Sequence, residues 1–169
     1  MQHRALFAAL AATLVAASGC ASAPESQPPA ALVLPPYPAA GDLLPFEVSA
    51  VNDNRFLVDQ TSLDIEPDRD VQLTLVVRSP SGAETVTREA IRCQTAEYRI
   101  LAIGRRSGEW SQLDDPPWRR IEEGRLNRHR AALALEYLCE GPASVLDAEQ
   151  ALAALRDRRH LQHGIDKAP

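Results

Sequence analysis

The chain has 169 residues and a mass of 18.4 kDa, room for one domain with appendages. With 45% hydrophobic and 24% charged residues it is neither disordered throughout nor a multi-span membrane protein. A net charge of -5 and only 5% aromatic residues disfavour a nucleic-acid binder, which needs a basic field or a stacking platform. Seventeen of the 18 basic residues are arginine, and the sole lysine, Lys167, lies in the tail, so Schiff-base and Ser/Lys chemistry have little to use.

The first expected element is an export signal, residues 1–19. His3 and Arg4 precede thirteen apolar or small residues, Ala5 to Ala17, and then Ser18-Gly19-Cys20. A membrane-spanning helix takes about 20 residues, so this run has the length of a signal h-region instead. Ala17-Ser18-Gly19-Cys20 resembles a bacterial lipobox, with Ala17 where leucine is usual. Lipidation, palmitate included, is therefore expected at Cys20, which makes a membrane the first partner through its acyl chains. An ordinary signal cleaved near Ala21-Ser22-Ala23 is the alternative. Ala21, rather than Asp, follows the cysteine, and by resemblance to enteric-type sorting this implies the periplasmic face of the outer membrane.

A spacer is expected next. Seven of the 13 prolines lie between Pro24 and Pro45, as in Pro28-Pro29 and Pro35-Pro36-Tyr37-Pro38. This composition favours extended polyproline-like backbone, so residues 20–45 read as a tether carrying the lipidated cysteine. At ~3.1 Å per residue, about 25 residues reach roughly 75 Å.

From Phe46 the composition changes, and residues 46–160 are expected to fold, with a frayed tail at 161–169. Phe56 to Asp59 and Ser62 to Ile65 are candidate short strands. Val71, Leu73, Leu75 and Val77 alternate with Gln72, Thr74 and Arg78, the period of a half-buried strand. Ser79-Pro80-Ser81-Gly82 carries the proline and glycine of a tight turn, so Glu84 to Cys93 should return antiparallel. Tyr98 to Arg105 predicts a third strand, and Arg106-Ser107-Gly108 turns the chain into a short one around Trp110. Asn127 predicts a cap for a helix to about Leu138, with Ala131, Ala134, Leu135 and Leu138 on one face. After Gly141-Pro142, Ser144 and Asp147 form a capping-box-like start for a second helix through Ala148, Leu152 and Leu155. The expected class is α+β, an antiparallel β meander followed by two C-terminal helices packed on it. With Cys20 acylated, Cys93 and Cys139 remain, and in an oxidising compartment that even count argues for a bridge; two free thiols are the alternative.

Several stretches in order carry a family resemblance: Phe56-Leu57-Val58-Asp59, Val76-Val77-Arg78-Ser79-Pro80-Ser81-Gly82-Ala83, Glu89-Ala90-Ile91-Arg92-Cys93, Trp118 with Ile121, and Tyr137-Leu138-Cys139. From about Leu44 to Leu155 the chain resembles the cryptic-neisserial-protein-like (CNP-type) family of proteobacterial envelope proteins. The resemblance implies an envelope location and paired cysteines, and it brings no catalytic residue, cofactor or ligand.

The chemistry of known motifs is missing. No G-x-S-x-G, S-x-x-K, P-loop or G-x-G-x-x-G occurs, so hydrolase and nucleotide readings lack their usual parts. His129, between Arg128 and Arg130, reads as a surface or capping histidine. His160, His163 and Asp166 have metal-ligand character but lie in a frayed terminus, so neither a metal nor another cofactor is expected. Asp114-Asp115 and Glu122-Glu123 are adjacent pairs, not the opposed carboxylates of a glycosidase.

One constellation suggests binding. Arg105, Arg106, Arg119 and Arg120, with Trp110 and Trp118, form a candidate contact face, supported by Arg99, Arg125 and Arg128. Arginine forks recognise phosphate or carboxylate, and exposed aromatics add contact area. The bland alternative pairs these arginines with Glu97, Glu109, Asp114 and Glu122 and buries both tryptophans. The first functional expectation is a non-catalytic envelope lipoprotein that binds an envelope protein or cell-wall partner and no nucleic acid. An envelope-metabolism enzyme with an acid/His site and an accessory subunit of a larger complex are the alternatives.

Overall fold

Alternating apolar residues build one antiparallel sheet in the computed structural model, which describes residues 32–48, 53–122, 124, 127–145 and 147–157. The expected signal peptide, Cys20 and the tail with His160, His163 and Asp166 lie outside the described residues. The chain divides into two units after Leu32, and the fold below belongs to the second. Its main strands are β1 (Leu43–Phe46), β2 (Arg55–Ile65), β3 (Val71–Arg78), β4 (Glu84–Arg92), β5 (Glu97–Gly104) and β6 (Trp110–Gln112). They pair in sequence order, a meander, and β7 (Arg119–Arg120) adds to the far end of β5.

The helical region follows: α1 (Arg128–Leu133), a π-helical segment (Ala134–Leu138), a small hairpin of β8 (Cys139–Glu140) and β9 (Ala143–Ser144), and α2 (Ala148–Asp157). The fold is α+β. Phe56 and Val58 of β2, Val71, Leu73 and Leu75 of β3 and Ile91 of β4 share a core with Leu133, Tyr137, Leu138, Ala151 and Leu155. At ~25 cal/mol per Å2 of apolar surface removed from water, this helix-facing layer is the main source of stability.

Local chemistry explains the details. The β3–β4 turn closes as its residues predict, with Gly82 at φ 83 donating its N–H to Ser79 O at 2.9 Å. The two short strands expected upstream are one strand, β2, bulged between Asp59 and Asp64. There Ser62 Oγ donates to Asp59 O and accepts the Thr74 N–H, which replaces the missing ladder bonds. Asn127 precedes α1 but does not cap it: its Oδ1 accepts from Tyr98 Oη and Arg130 Nη1 instead. Asp147, not Ser144, caps α2, its Oδ1 taking the Gln150 N–H at 2.8 Å. Ser144 lies in β9.

The expected long helix changes winding at Ala134. Cys139 N–H bonds Ala134 O, five residues back, and the wider turn rotates the side chains beyond it. Leu135, expected on the buried face, is exposed, while Tyr137 is fully buried. Cys93 and Cys139 are joined by a disulfide with Cα atoms 5.6 Å apart, tying the end of β4 to the end of that segment.

The proline-rich segment holds a second difference. β1 pairs with β2 from Leu43, and ahead of it Pro35 and Tyr37 lie against the sheet although residues 33–39 form no strand of their own. Trp110 Nε1 donates to Pro35 O at 2.9 Å, and the Tyr37 and Trp110 rings are 5.5 Å apart. From Pro35 to Pro45, a stretch which composition alone assigns to the tether, the chain is thus docked at Pro35 and Tyr37 and paired from Leu43.

Candidate binding face

The sheet face turned from the helices is organised in cross-strand rows, since every second residue of a strand points to it. The first row is apolar: Leu57, Val76 and Val86 pack together with Tyr37, Leu43 and Trp110. Gly104 ends β5 in this row, and a Cβ there would lie 2.8 Å from Val86 Cβ and 2.9 Å from Tyr37 Cε2. Only a residue without a side chain lets the Tyr37 ring sit on the strand.

The next row is polar and buried. Asp59, Thr74 and Arg88 stand opposite one another on β2, β3 and β4. Arg88 donates Nη1 to Ser62 O and Nη2 to Gln72 Oε1, and Asp59 Oδ1 accepts from Thr61 N and Oγ1. Burial pulls the Arg88 guanidinium below its ordinary value, against an opposite influence from Glu66, Asp64 and Asp59. Asp59 Oδ2, Thr74 Oγ1 and Arg88 Nε have no hydrogen-bond partner among the described residues.

Beyond it lies a cationic aromatic cluster. The guanidinium carbons of Arg92 and Arg99 sit 4.0 and 4.5 Å from the Trp118 ring centroid. Arg92 makes a two-pronged contact with Asp70, 2.9 and 2.7 Å, which raises its pKa further. Arg119 and Arg120 follow Trp118 on β7 and are exposed. Ion pairs join Arg78 to Glu84, Arg92 to Asp70 and Arg130 to Glu89. None among the described residues takes Arg99, Arg105, Arg106, Arg119 or Arg120, so the local pairing that would have neutralised them is not made.

The six residues expected to share one contact face fall into two groups. Trp110, Arg105 and Arg106 lie at the β5–β6 turn, and Trp118, Arg119 and Arg120 at the opposite end of β5. Eight residues of strand put about 20 Å between them. Trp110 is engaged by Pro35 and Tyr37, and Arg105 Nη2 donates to Ser111 Oγ. Arg125 lies outside the described residues. Arg99, expected to support the face, does lie over Trp118. Sequence reasoning missed Arg92, counted with its strand, and Tyr37, counted with the tether.

On the helix side the titratable groups are mutually engaged. Glu89, 1% exposed, receives Arg130 Nε and Nη2 at 2.7 and 2.6 Å and the Thr87 hydroxyl at 2.7 Å. Arg130 also lies over the Tyr98 ring. Its burial would lower its pKa, but the Glu89 hydrogen bond and charge outweigh that and raise it. His129 is not a surface histidine: it stacks on Phe56 at 5.2 Å with the ring planes 10° apart. Asp114 and Asp115 are exposed in the bend before Pro116.

These features define a disulfide-closed α+β domain whose sheet carries one apolar, segment-covered end and one cationic, tryptophan-bearing end. The chain belongs to the CNP1-like family, whose model matches residues 24–156. No curated protein and no solved structure matches it.

Proposed function

We propose that the protein is an exported, non-catalytic lipoprotein, anchored through Cys20 at the periplasmic face of the outer membrane, that binds an anionic envelope component. The observation that carries the binding is the Trp118 cluster: Arg92, held by Asp70, and Arg99, without a carboxylate partner among the described residues, lie on one ring, and the adjoining strand exposes Arg120 on that side and Arg119 on the other, both unpaired among the described residues. Guanidinium groups without a carboxylate partner suit phosphate or carboxylate, and a ring in contact with two guanidinium groups is pre-ordered for contact. The short apolar leader ending at Cys20 supports the anchor.

Cells fed an alkyne-bearing fatty acid, followed by sedimentation of the purified chain with detergent-washed envelopes, test both parts. Wild-type chain should carry the label and sediment. Cys20→Ala should lose the label, and a labelled Cys20→Ala protein overturns the anchor. Arg119→Glu with Arg120→Glu should keep the label and weaken sedimentation about tenfold, which corresponds to ~0.7 kcal/mol per charge reversed. Undiminished sedimentation of that variant overturns the contact face.

A further inference from the structure

We propose that the apolar row at the β5–β6 end of the sheet is a recognition groove for proline-rich extended peptides, gated in cis by residues 33–38. Three features of the groove match how such ligands are held. Proline lacks an N–H, so a proline-rich backbone offers carbonyls, and recognition rests on aromatic surfaces and donors aimed at them. Trp110 supplies both: its indole N–H bonds Pro35 O at 2.9 Å while its ring meets Tyr37. Gly104 supplies the seat, because any side chain there would collide with Tyr37 and Val86. Leu57, Val76 and Val86 form the apolar floor. The pattern accommodated is Pro-Pro-Tyr-Pro, here Pro35-Pro36-Tyr37-Pro38.

The cis occupant is separable from the fold. A short 3-10 turn, Ala40–Asp42, follows it, and sheet pairing begins only at Leu43. Lifting residues 33–38 breaks the Trp110–Pro35 bond and the ring contacts but no strand ladder. Displacement would expose Trp110, Gly104 and Val86 to a second proline-rich segment. A tethered segment acts at an effective concentration of about millimolar, so a free peptide of modest affinity cannot displace it from the wild-type chain.

The test therefore weakens the gate first. Full-length chain carrying Tyr37→Ala with Pro35→Gly is titrated with a synthetic peptide of residues 31–40, and binding is read from chemical shifts at Val86, Gly104 and the Trp110 indole N–H. The gate variant should bind at least tenfold more tightly than wild type. Adding Trp110→Phe, which removes the N–H donor, or Gly104→Ala, which fills the seat, should each cost about tenfold. A peptide with every proline replaced by alanine should lose binding as well. Equal binding by gate variant and wild type, or by the proline-free peptide, overturns the proposal. Should Trp110→Phe fail to fold, Gly104→Ala and the peptide comparison decide it alone.

Discussion

His129 shows how a neighbour from another element overrides local appearance. Burial, with the adjacent Arg130 charge, pulls its imidazole down to about 4, against a smaller upward influence from Glu89. The unfolded chain takes up the proton near 6.5, whereas the folded state resists it until about 4. Unfolding is therefore insensitive to this group above pH 6.5, stability falls as the pH drops from 6.5 toward 4, and the loss levels off below 4. Allowing for the ring's partial exposure, the loss should be on the order of 2 kcal/mol. His129→Phe keeps the stacked ring and removes the proton. Urea midpoints measured across that range should fall less steeply in the variant, and identical slopes would refute the assignment. The spacing of residues around His129 points to a surface position because both flanking residues are arginines. Phe56, which decides the matter, stands 73 positions upstream.

At the scale of elements, the Glu89–Arg130 pair fastens α1 to β4, with Asn127 and Tyr98 completing the hydrogen-bonded group. Removing one member of such a pair leaves a buried charge uncompensated, which costs about 3–5 kcal/mol. Arg130→Met should destabilise by about that much in chemical denaturation, and Glu89→Leu introduced with it should restore a large part. A double variant no more stable than Arg130→Met would show that packing, not the stranded carboxylate, sets the loss. The elements legible in advance were those whose signal is local. The β3–β4 hairpin is written in alternating Val and Leu residues around a Pro-Gly turn, and both strands formed where those residues placed them. The π-helical winding was not legible, because the periodicity of Ala131, Ala134, Leu135 and Leu138 fits an ordinary helix. Tyr137, which fills the core in place of Leu135, meets Phe46 of β1 at 6.0 Å. The docked proline segment was illegible for a similar reason: its prolines forbid a ladder, and only the distant Trp110 and Gly104 give it somewhere to lie.

At the scale of the whole molecule, the disulfide closes a span of 46 positions and joins the sheet to the helical layer. In the chain-entropy view a closed loop of that size stabilises by about 4 kcal/mol. Reduction, or Cys93→Ala with Cys139→Ala, should lower the unfolding free energy by that order; a shift below about 1 kcal/mol would mean that the unfolded chain keeps the two ends together. Cysteine count alone pointed to this bond, whereas the division of the arginine-tryptophan section into two ends about 20 Å apart needed the path of β5. The meander has one more implication, for the order of biogenesis. Every neighbour in the six-stranded path is the next strand in the chain, so hairpins can zip in the order in which the chain emerges into the compartment where it folds. Their cover comes last: Leu133, Tyr137, Leu138 and Leu155 follow the strands of the sheet in the chain. Until they arrive the emerging chain shows the greasy side of Val58, Leu73, Leu75 and Ile91 to its surroundings, an interval in which holdase chaperones have something to grip.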